Sequence, residues 1–190
     1  ISGGLSMKMS ADLNETVSNV FEIYTVLNES GDFSFYTTQD VNTAVVLSKD
    51  ASDGSLLENG TAITSATNGP VHLRVDLNTN TYTVTPITSV ATTSNMLPSA
   101  WSDTSELTYQ GNGIWYGTSV FETSTSETKG FQFRINNDMD WELLPIKDHN
   151  QNLVSTSIAT DHKIETASIA LNYGTYTITL DILNYNYTVS

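Results

Sequence analysis

The chain has 190 residues, 21 of them acidic and only 7 basic, for a net charge of -14, and it has no cysteine. A phosphate backbone needs cationic neutralisation, so the charge argues against nucleic acid as a partner, and the missing thiols exclude a disulfide framework or a thiolate metal site. No apolar run approaches the roughly 20 residues of a membrane helix.

In chain order, the segment begins Ile1-Ser2-Gly3-Gly4, which is neither an initiator Met nor a signal peptide and reads as a trimmed start. Ser10 to Asn19 is the best helix candidate, and its helical period is weak. Strands are expected at Val20–Leu27 and Val45–Leu47. Asp53-Gly54 and Asn59-Gly60 mark a turn-rich loop. Val71, Leu73 and Val75 then alternate with His72, Arg74 and Asp76, the period-two pattern of a half-buried strand, which puts His72 on the outward face. Asn78-Thr79-Asn80 supplies a turn, and Tyr82 to Thr85 returns as the partner strand of a hairpin. Ile87 to Ala100 is Ser/Thr-rich, with Pro86 and Pro98 near its ends, and reads as a junction. Further strands are expected at Gly113–Phe121 and Ile164–Leu171. A second hairpin closes the chain, with Tyr176, Ile178 and Leu180 inward, a turn at Asn184, then Tyr187 and Val189.

The two hairpins are copies. GPVHLRVDLNTNTYTVT from Gly69 and GTYTITLDILNYNYTVS from Gly174 align at an offset of 105. Upstream the offset is 98: Phe33-Ser34-Phe35 matches Phe131-Gln132-Phe133, Asp40 matches Asp138, and Lys49-Asp50 matches Lys147-Asp148. The difference places a seven-residue insertion in the second copy, around Asn150 to Thr166. Self-similarity at this length means a tandem of two related modules. Short strands between Gly, Asn, Asp and Ser turns give the fold class: all-β, as two tandem Ig-like β-sandwich modules. The expected division is 1–88, a linker at 89–99, and 100–190.

No HExxH, GxSxG or phosphate-loop signature is present, and His72, His149 and His162 form no recognisable triad. The chain therefore reads as a non-enzyme, with no cofactor. Asn136 to Glu142 gathers oxygen ligands of the kind calcium uses, but it lacks EF-hand spacing and reads first as a polar turn. The copies differ more tellingly. All three tryptophans, Trp101, Trp115 and Trp141, lie in the second. Trp141 stands opposite Thr43, and Arg134 opposite Tyr36. A core position should stay apolar in both copies, so Trp141 is expected to be exposed. Exposed aromatic faces beside hydrogen-bonding groups suit sugars, whose CH faces stack on rings while their hydroxyls pair with polar groups. Trp115, in an alternating run, fits sheet packing as well as ligand contact. Lys147 and Asp138, matched in the first copy, also read as scaffold.

Pro98-Ser99-Ala100-Trp101-Ser102-Asp103, the run from Leu107 to Gly117, Lys129-Gly130-Phe131-Gln132-Phe133, Asp140-Trp141 and the closing hairpin together resemble one module type. It is the tandem carbohydrate-binding module of the SusE/SusF-like outer-membrane lipoproteins of Bacteroidetes. Ala100 stands where that family often has Gly, and Gln132 where it often has Lys. The resemblance implies non-catalytic capture of oligo- or polysaccharide at the cell surface, in support of a Sus-like uptake system. It also implies a lipid anchor upstream of Ile1 as the sole membrane attachment, and a TonB-dependent transporter complex as a partner. Carried over residue by residue, it makes Trp101, Arg134, Trp141 and Lys147 the glycan-binding residues, all in the second module. The alternative class is a structural or adhesive surface spacer with no glycan site.

Overall fold

The computed structural model describes residues 10–11, 19–38, 42–122, 131–139, 142–145, 153–155, 173–184 and 186–190. The chain is all-β: the one helical turn among the described residues is a 3-10 turn at Ala100–Ser102. It divides into two compact units, Ile1–Pro86 and Ile87–Ser190.

In the first unit, β1 (Ser10–Ala11), β2 (Val20–Leu27), β8 (Gly69–Asp76) and β9 (Thr81–Pro86) form one antiparallel sheet in that order. The two residues Ser10 and Ala11, expected to open a helix, are instead paired to Glu22 and Phe21. Two small sheets supply a second layer. One joins β3 (Asp32–Phe33) to β7 (Ile63–Thr64). The other joins β4 (Phe35–Tyr36), β5 (Val46–Lys49) and β6 (Leu56–Glu58). The core lies between the layers: Ile23, Val71, Leu73 and Val75 from the large sheet pack with Phe33, Phe35, Leu56 and Ile63 from the small ones.

His72 departs from its expected exposure. It does point away from Val71 and Leu73, but it is only 5% exposed. Its Nε2 lies 2.9 Å from the Glu22 carboxylate, and its ring stacks on Tyr24 with centroids 4.8 Å apart. Alternation in a sequence reports which face a residue joins; it does not report whether that face is covered.

In the second unit, eight strands run β15-β14-β13-β10-β11-β12-β16-β17. They are β10 (Val90–Ser94), β11 (Ser105–Gly111), β12 (Ile114–Phe121), β13 (Phe131–Ile135), β14 (Glu142–Pro145), β15 (Leu153–Ser155), β16 (Gly174–Asp181) and β17 (Asn186–Val189). Rings from β13 meet a ring from β17, because Phe131 and Phe133 lie 5.7 and 5.8 Å from Tyr187. The two halves of the sheet therefore face each other across a core. The turn between β11 and β12 needs its glycine: Gly113 has φ +74°, and a Cβ there would sit 2.5 Å from Leu183 Cγ.

Residues 89–99 are not a linker. β10 is paired on both sides, to β13 and to β11, and every residue of it is buried. Its polar side chains are satisfied inside: Thr92 Oγ1 and Ser119 Oγ are 2.5 Å apart, Thr93 Oγ1 donates to the Trp101 carbonyl, and Ser94 Oγ accepts from Met96 N–H. A run of small hydroxyl residues has a loop's composition, yet it fits a tight central strand once each hydroxyl finds a partner. The expected strand at Ile164–Leu171 and most of the inserted loop lie outside the described residues.

The copies share their framework. In both, an eight-residue strand lies antiparallel to the hairpin with Asp and Gly at the same ends: Val20 opposite Asp76 and Leu27 opposite Gly69, then Ile114 opposite Asp181 and Phe121 opposite Gly174. The hairpin registers also agree, Val75 with Tyr82 and Leu180 with Tyr187.

Burial raises the phenol pKa of both Tyr82 and Tyr187 above the ordinary 10.0. In the unfolded chain these phenols ionise near pH 10, while in the fold they stay protonated to higher pH. Stability is thus full below about pH 10 and falls as pH rises toward the folded values. Tyr187→Phe should flatten that alkaline decline in denaturant melts followed between pH 8 and 11. Glu22→Ala removes the partner of a buried imidazole and should lower the unfolding free energy by about 1–3 kcal/mol, read from the same melts at pH 7.

Candidate functional site

The second unit sets a partly exposed Trp101 on a short loop, and the neighbouring strands brace that loop from beneath. After β10 the chain turns through Leu97, whose carbonyl accepts from Ala100 N–H at 2.8 Å. Ser99 N–H donates to the Asp103 carboxylate at 2.7 Å, and Asp103 N–H returns to the Ala100 carbonyl at 3.0 Å. The Trp101 carbonyl accepts twice, from Thr93 Oγ1 at 3.0 Å and from Arg134 Nη2 at 2.9 Å. Backbone and side chains together hold the indole's Cα in place, which is the pre-organisation a stacking platform needs.

Arg134 reaches this carbonyl from β13, where it lies opposite Ala91 of β10 on one side and Glu142 of β14 on the other. It is 3% exposed. The structure brings Arg134 to the Trp101 backbone, in a different sense from the ligand contact expected of it. A guanidinium this deep holds the loop, rather than standing free on the surface for a ligand. Sequence alone could not separate these uses, since both ask for a multi-donor cation.

Ala100 adds a second signature. It has φ +51°, in the left-handed region that an L-residue other than Gly enters at a cost of roughly 1–2 kcal/mol. Such strain is characteristic of positions whose surroundings over-determine the backbone, and these cluster at functional sites.

The remaining sequence candidates separate. Trp115 is buried in the core with its ring 4.9 Å from Tyr109. Trp141 and Lys147, like His149, His162 and Asp140, lie outside the described residues. Asp138 is exposed in the turn after β13. That turn uses two consecutive left-handed residues, Asn136 and Asn137 at φ 52° and 55°, conformations Asn tolerates better than most side chains. Among the described residues no group of three or more His, Cys, Asp or Glu could hold a metal ion. Asn136 has a role the sequence reading missed. Its side-chain carbonyl accepts from Thr88 N–H at 2.8 Å, Thr88 Oγ1 at 3.2 Å and Ser89 N–H at 3.3 Å. The signal for it was Asn at a turn, where side-chain-to-backbone bonding is expected.

No protein-family model matches the chain, and no curated protein sequence matches it. The chain is similar to the crystal structure of SusF from Bacteroides thetaiotaomicron, at 14% identity and a TM-score of 0.36, over 97% of this chain and 44% of that one. It thus spans less than half of SusF's length. A TM-score this low carries no argument for a shared site, so the functional reading rests on the Trp101 loop itself.

Ala100→Gly should raise the unfolding free energy by about 1 kcal/mol by relieving the left-handed strain. Arg134→Met should lower it by about 2 kcal/mol, since a charge-assisted bond to a part-buried carbonyl is lost. It should also alter tryptophan fluorescence through the loosened Trp101 loop. Chemical denaturation and emission spectra of both variants check these outcomes.

Proposed function

We propose that the chain is a non-catalytic, surface-displayed glycan-binding protein that engages oligo- or polysaccharide through its second unit. The observation that carries this reading is the braced Trp101 loop: a partly exposed indole whose backbone carbonyl is gripped by Thr93 and by the buried Arg134. An aromatic side chain carried on a backbone braced in this way offers a sugar ring a stacking partner at a reduced ordering cost on binding. In this proposal Trp101 and Trp141 are the stacking aromatics, Lys147 supplies a hydrogen-bonding cation, and Arg134 positions Trp101. The units are read as tandem Ig-like sandwiches. The setting proposed is a SusE/SusF-like lipoprotein of an outer membrane, capturing polysaccharide for a TonB-dependent transporter. Affinity from one small platform is modest and gains from repetition along a polymer.

Trp101→Ala should reduce retention in polysaccharide-containing affinity gels by about tenfold in apparent Kd, the equivalent of about 1.4 kcal/mol. Trp141→Ala and Lys147→Ala should each weaken it further. Retention of the wild-type protein that all three variants match would refute the site, and no retention of the wild-type protein would leave the spacer reading in its place.

A further inference from the structure

The shared register of the two units exposes a contrast on the sheet face opposite each core. In the first unit that face carries Glu22, Tyr24 and His72, all buried. In the second unit the corresponding strands leave it open. Tyr116 and Val120 on β12 are 46% and 50% exposed, and Thr108, Thr118, Thr175 and Thr188 are exposed as well.

Strand pairing fixes how these residues lie, because directly opposed residues share a face. Thr108 lies opposite Tyr116, Tyr116 opposite Thr179, and Thr179 opposite Thr188, one row across four strands. Thr118 lies opposite Thr177, whose backbone exchanges hydrogen bonds with Ser190, and Val120 lies opposite Thr175. The core side of the same strands holds Trp115, Leu180 and Tyr187, all buried.

We propose that this outer face of β11, β12, β16 and β17 is a second binding surface for a neutral polysaccharide, separate from the Trp101 loop. The inference rests on the glycan-binding reading of the second unit. Three features select that ligand. The rows carry no cation, in a chain with net charge -14, so an anionic polymer is repelled rather than held. Each threonine hydroxyl both donates and accepts, and among the described residues none of Thr108, Thr118, Thr177, Thr179 or Thr188 has a side-chain hydrogen bond to spend within the protein. The hydroxyls recur about every 4.8 Å across the strands and about every 6.7 Å along them, spacings on the scale of a sugar ring, around the open ring of Tyr116. Where the first unit fills this face with a buried Glu-His pair, the second has replaced Glu22 by Tyr116, Tyr24 by Thr118 and His72 by Thr177 at equivalent register positions.

The test is affinity electrophoresis of the whole chain in gels containing amylopectin, galactomannan or mixed-linkage β-glucan, with polygalacturonate as the acidic control. Trp101→Ala, Tyr116→Ala, Thr118→Glu and the double variant Trp101→Ala/Tyr116→Ala are compared, with circular dichroism to establish folding. The expected result is that Tyr116→Ala and Thr118→Glu each weaken retention by a neutral polymer roughly three- to tenfold, that the double variant is weaker than either single one, and that polygalacturonate retains none. Wild-type retention that depends on Trp101 but is untouched by Tyr116→Ala and Thr118→Glu overturns this inference and leaves the Trp101 site standing. Loss through Tyr116 alone keeps the inference and removes Trp101. No retention of the wild-type protein by any neutral polymer overturns both. Sedimentation showing a dimer that Thr118→Glu dissolves assigns the face to a second copy of the chain and overturns the glycan proposal.

Discussion

The fold of each unit depends on one contact: a tyrosine from the closing hairpin packed on a Phe-x-Phe segment. In the first unit Phe33 and Phe35 meet edge to face at 5.7 Å, and Tyr82 lies 6.0 Å from Phe35. In the second, Phe131 and Phe133 meet edge to face at 5.5 Å, and Tyr187 lies 5.8 Å from Phe133. Such ring pairs contribute about 0.5–1.5 kcal/mol beyond their burial. Their larger effect is geometric. They tie the last hairpin of the unit to a strand in the facing layer, so the chain's end and its middle are fixed against each other. The Trp101 loop is referenced to that clamp through Arg134, which follows Phe133 by one residue and therefore points the other way.

Much of this was legible in the sequence because it is periodic. The alternation around Val71 and Ile178 located the hairpins, and the 98-residue offset paired the Phe-x-Phe strands before any geometry was known. What was not legible was cover. β10 has a linker's composition and a central strand's environment, and the difference lies in whether Thr92, Thr93 and Ser94 find partners, which depends on residues far along the chain. His72 misled in the same way: its alternation was right, but it is buried on that face, together with Tyr24 and Glu22 beside it.

The site was half legible. Comparing the copies correctly singled out Arg134 as a difference, but a difference between copies marks change of use, not contact with a ligand. Arg134 and Trp101 turned out to be partners of each other. The Trp115 side chain went to the core, as its alternating run allowed. The open face around Tyr116 drew no notice in the sequence, because threonine on an exposed strand is ordinary and only the covered counterpart in the first unit makes it informative.

The bonds from Asn136 to Thr88 and Ser89 have a mechanical consequence. They fasten the chain just after the first unit's last strand, and β10 begins at the next residue. A pull transmitted along the chain at this point meets a strand held on both flanks by antiparallel ladders, where the hydrogen bonds lie across the direction of load and must yield together. The start of the second unit is thus built to resist shear along the chain.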